Sequence, residues 1–542
     1  MYKENGPPPD EPRNRTEAKY RVLSDRDGLA AKEEETSCCV PPGDDPHRQR
    51  RLALRRDVGL FSSITFLLSA TIGTGIFITP GRVLRNSKTI GIDMLMWTIG
   101  GLNAFIGGLC AAELGALLPS SGGDYAFFLA AGRPYGKYGD VPAFLLAWTS
   151  FFVDPSYMTI QGLTFSAYVL SLPYPNCAPP NELLVLVACL FITLATAVNC
   201  FSVKISSKVL DVLSVLKCSF LYAVIITGAI YAFHGNHIFD SQPSDTPPSA
   251  GDIASALYSA IYCYVGWTCI NYIAEEIKNP GRNIPIAIAV STAITVLTYL
   301  LINLAFFVVL DADTITNTDV LAVSFIRATW GQGMATVMPF IIAMTVFGTT
   351  CASVLVSSRI FFAASRQGHL ARVMSYVHVD RSVPLVAVVA RCLISVAFAL
   401  TGSVHFLIQA SIMLSNVKEA ASVVSLFLLR RSMPGATRPY RVPTVVAVLR
   451  LIVCFALATV TLVQVRRYAY QYALLAIVFA TGAVYYYFCV RKKFRLRGYE
   501  NVAVFVQKCF KSAPCSEDLE RQNVHLDEDG GKKITKRVRL NL

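Results

Sequence analysis

The chain has 542 residues, 53% of them hydrophobic and only 16% charged, with a net charge of +13. That balance excludes an ordinary soluble domain. Its lysines and arginines fall in short clusters between apolar runs, which points to loops on one side of a membrane and away from nucleic acid.

Residues 1–56 are rich in proline and mixed charge and read as a disordered cytosolic tail. No apolar signal segment opens the chain, so the first apolar run is expected to act as an uncleaved anchor. Arg48, Arg50, Arg51, Arg55 and Arg56 precede that run and put the N-terminus in the cytosol. Residues 57–490 read as a single twelve-helix domain. About twelve apolar spans follow one another there, near 60–80, 92–116, 142–172, 183–201, 209–232, 253–274, 285–310, 335–363, 384–402, 404–430, 444–465 and 471–490. Runs of that length suit membrane helices and are too long for barrel strands. The expected fold is therefore an all-α polytopic membrane protein. Residues 491–542 read as a second charged cytosolic tail.

Alternate connections carry the positive charge: Lys204 and Lys208, then Lys278 and Arg282, then Arg366, Arg372 and Arg381, then Arg430, Arg431, Arg438 and Arg441. The loops near 173–182, 234–252 and 311–326 hold no Lys or Arg. With twelve spans, both termini fall in the cytosol. Arg82, Arg85 and Lys88 depart from the pattern.

The first span contains Gly73 and Gly75 with Thr74 between them. Glycine weakens a helix and permits unusual backbone angles. Loosened backbone at membrane depth is tolerated only inside protein or along a cavity. This predicts a helix broken here, with freed N–H groups that suit a carboxylate. Unpaired carbonyls at the preceding half-helix suit an ammonium, so the pair would read a zwitterion. The competing reading is tight packing of small residues between helices. The stretch from Tyr262 to Thr268, with Gly266 inside it, interrupts the sixth span. Spans one and six hold corresponding places in two five-helix halves of opposite orientation, and paired interruptions of that kind mark a transporter binding site.

The fifteen cysteines lie mostly within apolar runs, and no Cys-x-x-Cys or Cys/His metal spacing appears. Nothing asks for a cofactor or for covalent catalysis. Cys38 and Cys39 lie in the N-terminal tail, as a solvated thiol pair or a palmitoylation site. Cys177 falls in a short outer loop, where an exposed thiol favours an intermolecular bridge over remaining unpaired. The one glycosylation sequon, at Asn14, lies in the cytosolic tail and should stay unmodified.

Several motifs together resemble the light chains of heteromeric amino-acid transporters, of the L-type and y+L-type systems. They are Gly73 to Phe77 with Thr79 and Pro80, Ala112 to Gly115, Ser121 to Tyr125, Pro175 to Cys177, Asn199 to Lys204, Glu275 to Pro280 with Arg282, Asn283 and Pro285, and Ser358 to Phe362 with Gly368 to Leu370. The resemblance implies a LeuT-like 5+5 inverted repeat of the amino acid–polyamine–organocation superfamily, with helices one and six broken. It implies sodium-independent exchange of amino acids by alternating access. The substrate carboxylate would meet the backbone of Gly73, Thr74 and Gly75. The amino group would meet carbonyls of Thr71, Tyr262 and Val265, with Tyr262 as an aromatic gate. Ile72, Gly266, Trp267 and Thr268 complete the two breaks. Cys177 would join a single-pass glycoprotein heavy chain at the plasma membrane. Lys204 reads from sequence as a snorkelling positive-inside residue. The resemblance implies instead a lysine that replaces a bound sodium ion between the first and eighth helices.

Three places depart from that pattern. Val265 stands where relatives often carry Gly, Ser or Asp, and its isopropyl group would shrink the pocket or else face a neighbouring helix. Asp154 and Pro155 interrupt the third span, and an intramembrane carboxylate is a functional candidate. Asn416, Lys418 and Glu419 sit in the tenth span, where Lys418 must face a cavity, pair with a carboxylate or snorkel. The sequence therefore supports an exchanger for neutral L-amino acids. A y+L-like cationic and neutral exchanger and a non-transporting amino-acid sensor remain as alternatives.

Overall fold

The computed structural model describes residues 56–514, except 74, 175–178, 202, 235–246, 319–320, 402–403, 464–468 and 493–498. Its architecture is all-α. The first span is divided: α1 covers Leu60–Thr71, α2 Gly75–Ile78 and α3 Pro80–Ser87. α1 stops where Ile72 turns to an extended conformation (ψ 90°) beside Gly73. α3 restarts on Pro80, whose missing N–H is harmless at the first helical position. α4 (Ile90–Leu117) follows, started by the Thr89 side chain, which accepts a hydrogen bond from the Ile92 amide at 3.3 Å.

Next come α5 (Asp124–Gly132), α6 (Val141–Leu170), α7 (Asn181–Phe201) and α8 (Val203–Phe233). The expected interruption at Asp154 and Pro155 does not occur, because α6 runs through both. Its neighbours supply polar partners there. Arg391 Nη2 donates to the Asp154 carbonyl at 3.1 Å, and Ser395 Oγ to the Pro155 carbonyl at 3.0 Å. A proline-weakened helix is re-satisfied in this way when other helices press against it.

The sixth span is broken as predicted. α9 (Ala250–Cys263) opens on a capping box between Ser249 and Asp252. It ends in a turn through Gly266, and the chain resumes as a 3-10 helix over Cys269–Glu276. α10 (Pro280–Val309) follows, then three short helices between the seventh and eighth spans: α11 (Ala312–Asn317), α12 (Leu321–Thr329) and α13 (Gln332–Ala335). α11 packs on α3 so closely that a Cβ on Gly81 would stand 2.3 Å from the Ile315 carbonyl oxygen. Arg85, one of the charges that broke the loop pattern, donates to the Thr316 carbonyl there.

α14 (Met338–Arg366), strand β1 (Tyr376–His378), α15 (Leu385–Thr401), α16 (Val404–Ser432), α17 (Thr444–Val463) and α18 (Ala469–Tyr485) complete the helical body. α1 packs against α8, α10 and α14, while α6 packs against α7, α14, α15 and α16. Among the described residues, five helices are individually long and apolar enough to cross a bilayer; among them are α4, α7 and α10. The 491–542 segment is not all loose tail. α19 (Tyr499–Phe510) precedes strand β2 (Ser512–Pro514), which pairs antiparallel with β1.

Candidate functional site

The two breaks lie side by side. Gly266 adopts φ +128°, and a Cβ there would stand 2.9 Å from Thr71 Oγ1 and 3.0 Å from the Ala70 carbonyl oxygen. Only glycine allows both that angle and that approach. Tyr299 of α10 ties the breaks together, since its hydroxyl lies 3.2 Å from the carbonyl oxygens of both Thr71 and Cys263. Thr79 Oγ1 bridges Cys263 Sγ at 2.6 Å and donates to the Gly75 carbonyl at 2.8 Å.

The carbonyls at the end of α1 are held from two further helices. Lys217 Nζ, buried in α8, donates to the Ile72 carbonyl at 2.7 Å and the Ser69 carbonyl at 3.2 Å. Thr349 Oγ1 of α14 donates to the same Ser69 carbonyl at 3.2 Å. A cation placed on the negative end of a helix relieves its unpaired carbonyls.

This corrects the reading of Lys204. Lys204 is exposed at the start of α8. Thirteen residues of helix separate it from Lys217, about 20 Å at ~1.5 Å per residue. That keeps it from the Ile72 end of α1, where the lysine present is Lys217. A lysine inside an apolar stretch was the available signal.

A cavity of about 160 Å³ opens at the breaks. Of the residues expected around a substrate, Thr71, Gly73, Gly75, Tyr262 and Val265 border it. Tyr262 and Val265 are 40% and 45% exposed, so the Val265 side chain faces the cavity and is not packed on a neighbouring helix. Tyr157, Gln161, Tyr258, Thr349 and Ser415 add polar groups that the sequence reading did not select. Ile72 is fully buried and contributes its carbonyl to Lys217. Thr268 immediately precedes the 3-10 helix without a side-chain capping bond, and Trp267 lies buried behind the turn. Thr74 and Cys177 fall outside the described residues, as does the Asn416 side chain.

The charges divide between this cavity and a neighbour of about 260 Å³. Glu419 borders the first cavity. Asp154 and Lys418 border the second, and Tyr157 and Ser415 border both. Asp154 Oδ2 is buried and takes no hydrogen bond among the described residues. Lys418 thus faces a cavity and also pairs with a carboxylate: its ammonium lies 3.6 Å from Asp124 Oδ2 and over the Tyr272 ring. Asp124 is fixed in turn by the Tyr272 hydroxyl at 2.6 Å.

The segment just before α1 is tied to the chain beyond the second break. The Val58 amide donates to the Glu276 carbonyl at 3.0 Å, and the Lys278 amide to the Val58 carbonyl at 2.9 Å. Beneath them Arg359 Nε meets Glu276 Oε1 at 2.6 Å, with both side chains fully buried. Among the described residues no group of His, Cys, Asp and Glu could hold a metal ion.

A family model described as amino acid permease matches residues 58–493. The chain is 31% identical over 449 residues to the mouse (Mus musculus) b(0,+)-type amino acid transporter 1, covering 82% of this chain and 89% of that protein. It is 32% identical over 397 residues to the human (Homo sapiens) large neutral amino acids transporter small subunit 2, covering 72% and 73%. These relatives are named as transporters and not as enzymes. With its paired helix breaks and most of its length matched, the chain belongs to the amino acid permease family and is a multi-pass membrane transporter of amino acids, of the light-chain type.

Proposed function

We propose that the chain exchanges neutral L-amino acids by alternating access and without sodium. The observation that carries this reading is the junction of the two breaks, with Lys217 seated on the carbonyls that end α1. A fixed ammonium there supplies the positive charge that a bound cation would otherwise bring. The backbone at Gly73 and Gly75 borders the cavity and suits a carboxylate. The carbonyls of Thr71 and Tyr262 suit the amino group. Thr71 O keeps one lone pair beyond the Tyr299 bond. The zipper of Val58 against Glu276 and Lys278 is the contact that must open for release on the other side.

The chain works in the plasma membrane with both termini cytosolic, as a light chain bound through Cys177 to a single-pass glycoprotein. The name of the human relative, a small subunit, supports an assembly of that kind. A Cys177→Ser variant should lose a high-mass band on non-reducing gels, and an unchanged band pattern would count against the bridge. A cationic and neutral exchanger is the second reading. The Glu419 carboxylate on the cavity wall favours it, whereas Asp154, which motivated it in sequence, borders the neighbouring cavity.

Counterflow in proteoliposomes with a panel of labelled amino acids is the test. Trans-stimulated flux that is unchanged when choline replaces sodium supports the exchanger. Binding without flux would make the protein a sensor instead.

A further inference from the structure

We propose that Glu419 and Arg450 form a side-chain subsite that selects amino acids bearing an N–H or O–H donor, such as an amide or an ammonium. This rests on the transport reading and names its substrate class.

Glu419 stands on the wall of the cavity that contains the helix breaks. Its Oε2 takes a hydrogen bond from Arg450 Nη2 of α17. The two side chains differ in access: Glu419 is 17% exposed and Arg450 only 2%. Arg450 is spent on other groups. It donates to Asn103 Oδ1 and to the Asn103 carbonyl, and its guanidinium lies 5.6 Å from the centre of the Trp267 ring. It is packed closely against α4. A Cβ on Gly107 would stand 2.7 Å from Trp267 Cζ2 and 3.1 Å from Arg450 Nε, so α4 is hollowed at Gly107 to admit both.

The cavity therefore meets the carboxylate and not the guanidinium. An ionised carboxylate only accepts hydrogen bonds. Arg450 fixes its orientation and offsets its charge, so a neutral amide can satisfy the subsite and a full cation is not required. An aliphatic side chain of the same shape would desolvate the carboxylate and return nothing. A substrate carboxylate would meet like charge. Tyr157, Gln161 and Ser415 on the same wall are consistent with a polar occupant. Arg450 is a positioning residue that acts through Glu419.

Asparagine and leucine have nearly the same shape and differ in the donor, so they test the subsite in the unaltered protein. Each competes against labelled glutamine in exchange by the full chain. Asparagine should compete about tenfold better than leucine, the lower end of what one hydrogen bond to a charged group contributes. Equal competition would overturn the proposal. In Glu419→Gln the Arg450 charge is left uncompensated, and glutamate should become a competitor. This gain cannot come from misfolding, and its absence in a transporting variant would also count against the subsite. The double variant Glu419→Leu with Arg450→Met should lose the asparagine preference, read as the ratio of asparagine to leucine competition. If the preference persists there, the pair only packs the helices. Should the wild type exchange no amino acid at all, exchange itself is refuted. Thermal shifts of the purified chain with asparagine and with leucine then still read the subsite.

Discussion

Replacing Lys217 with methionine keeps most of the side-chain volume and removes the ammonium that holds the end of α1. Two hydrogen bonds disappear, to the Ile72 carbonyl at 2.7 Å and to the Ser69 carbonyl at 3.2 Å. Ser69 keeps a partner in Thr349, but the Ile72 carbonyl loses its close one. A hydrogen bond from a charged donor contributes about 1.5–3 kcal/mol. Most of the loss falls on the break itself, so the substrate site is weakened by about 2–3 kcal/mol. At about 1.4 kcal/mol per tenfold, this raises the half-saturating concentration roughly 30- to 140-fold. The assay is the concentration dependence of trans-stimulated uptake in proteoliposomes. Lys217→Arg serves as the variant that keeps the charge, and Lys204→Met as the one that should change little. An unchanged half-saturating concentration in inserted, folded Lys217→Met would refute the assignment.

Three further outcomes follow from the same geometry. Gly266→Ala should abolish transport at normal membrane expression, because the added methyl meets Thr71 and Ala70 at a φ of +128°. Gly73→Ala should be milder, since its Cβ would make ordinary contact with Thr349 at 3.5 Å; equal losses in the two would contradict this contrast. Val265→Gly removes an isopropyl group from the cavity wall and should improve competition by tryptophan by ~1–3 kcal/mol, and equal competition would count against it. Outside the spans, burial holds the His369 imidazole below its usual value, against the pull of Asp140. Its ring lies 2.9 Å from the Tyr125 hydroxyl and 3.2 Å from Asp140, with Arg491 also on Asp140. Burial alone would raise the Asp140 carboxyl, but hydrogen bonds from Tyr486 and His369 carry it below its ordinary value. The unfolded chain then binds more protons than the folded one as pH falls below the ordinary histidine value of 6.5, so stability declines there. His369→Asn should flatten the melting temperature between about pH 7 and pH 5, and a slope equal to wild type would exclude this source.

Sequence by itself determined the membrane class and the positions of both helix breaks. Run length and the placement of Gly73, Gly75 and Gly266 are local properties, and a lone span must satisfy its own backbone wherever it lies. It also marked the polar residues of the tenth span as anomalous, because charge at membrane depth is costly in any fold. Tertiary structure decided which charge does what. Lys204 and Lys217 share one helix, and only the approach of α1 separates an exposed residue from the one on the Ile72 carbonyl. Lys418 and Glu419 are adjacent in sequence, yet one turns to Asp124 and the other to Arg450, because neighbours on a helix point to different partners. Pro155 read as a break and is none, since Ser395 and Arg391 lie hundreds of residues away in the chain and a short distance away in space. The β1–β2 pair was invisible for the same reason: a strand of three residues has no pattern until its partner is beside it.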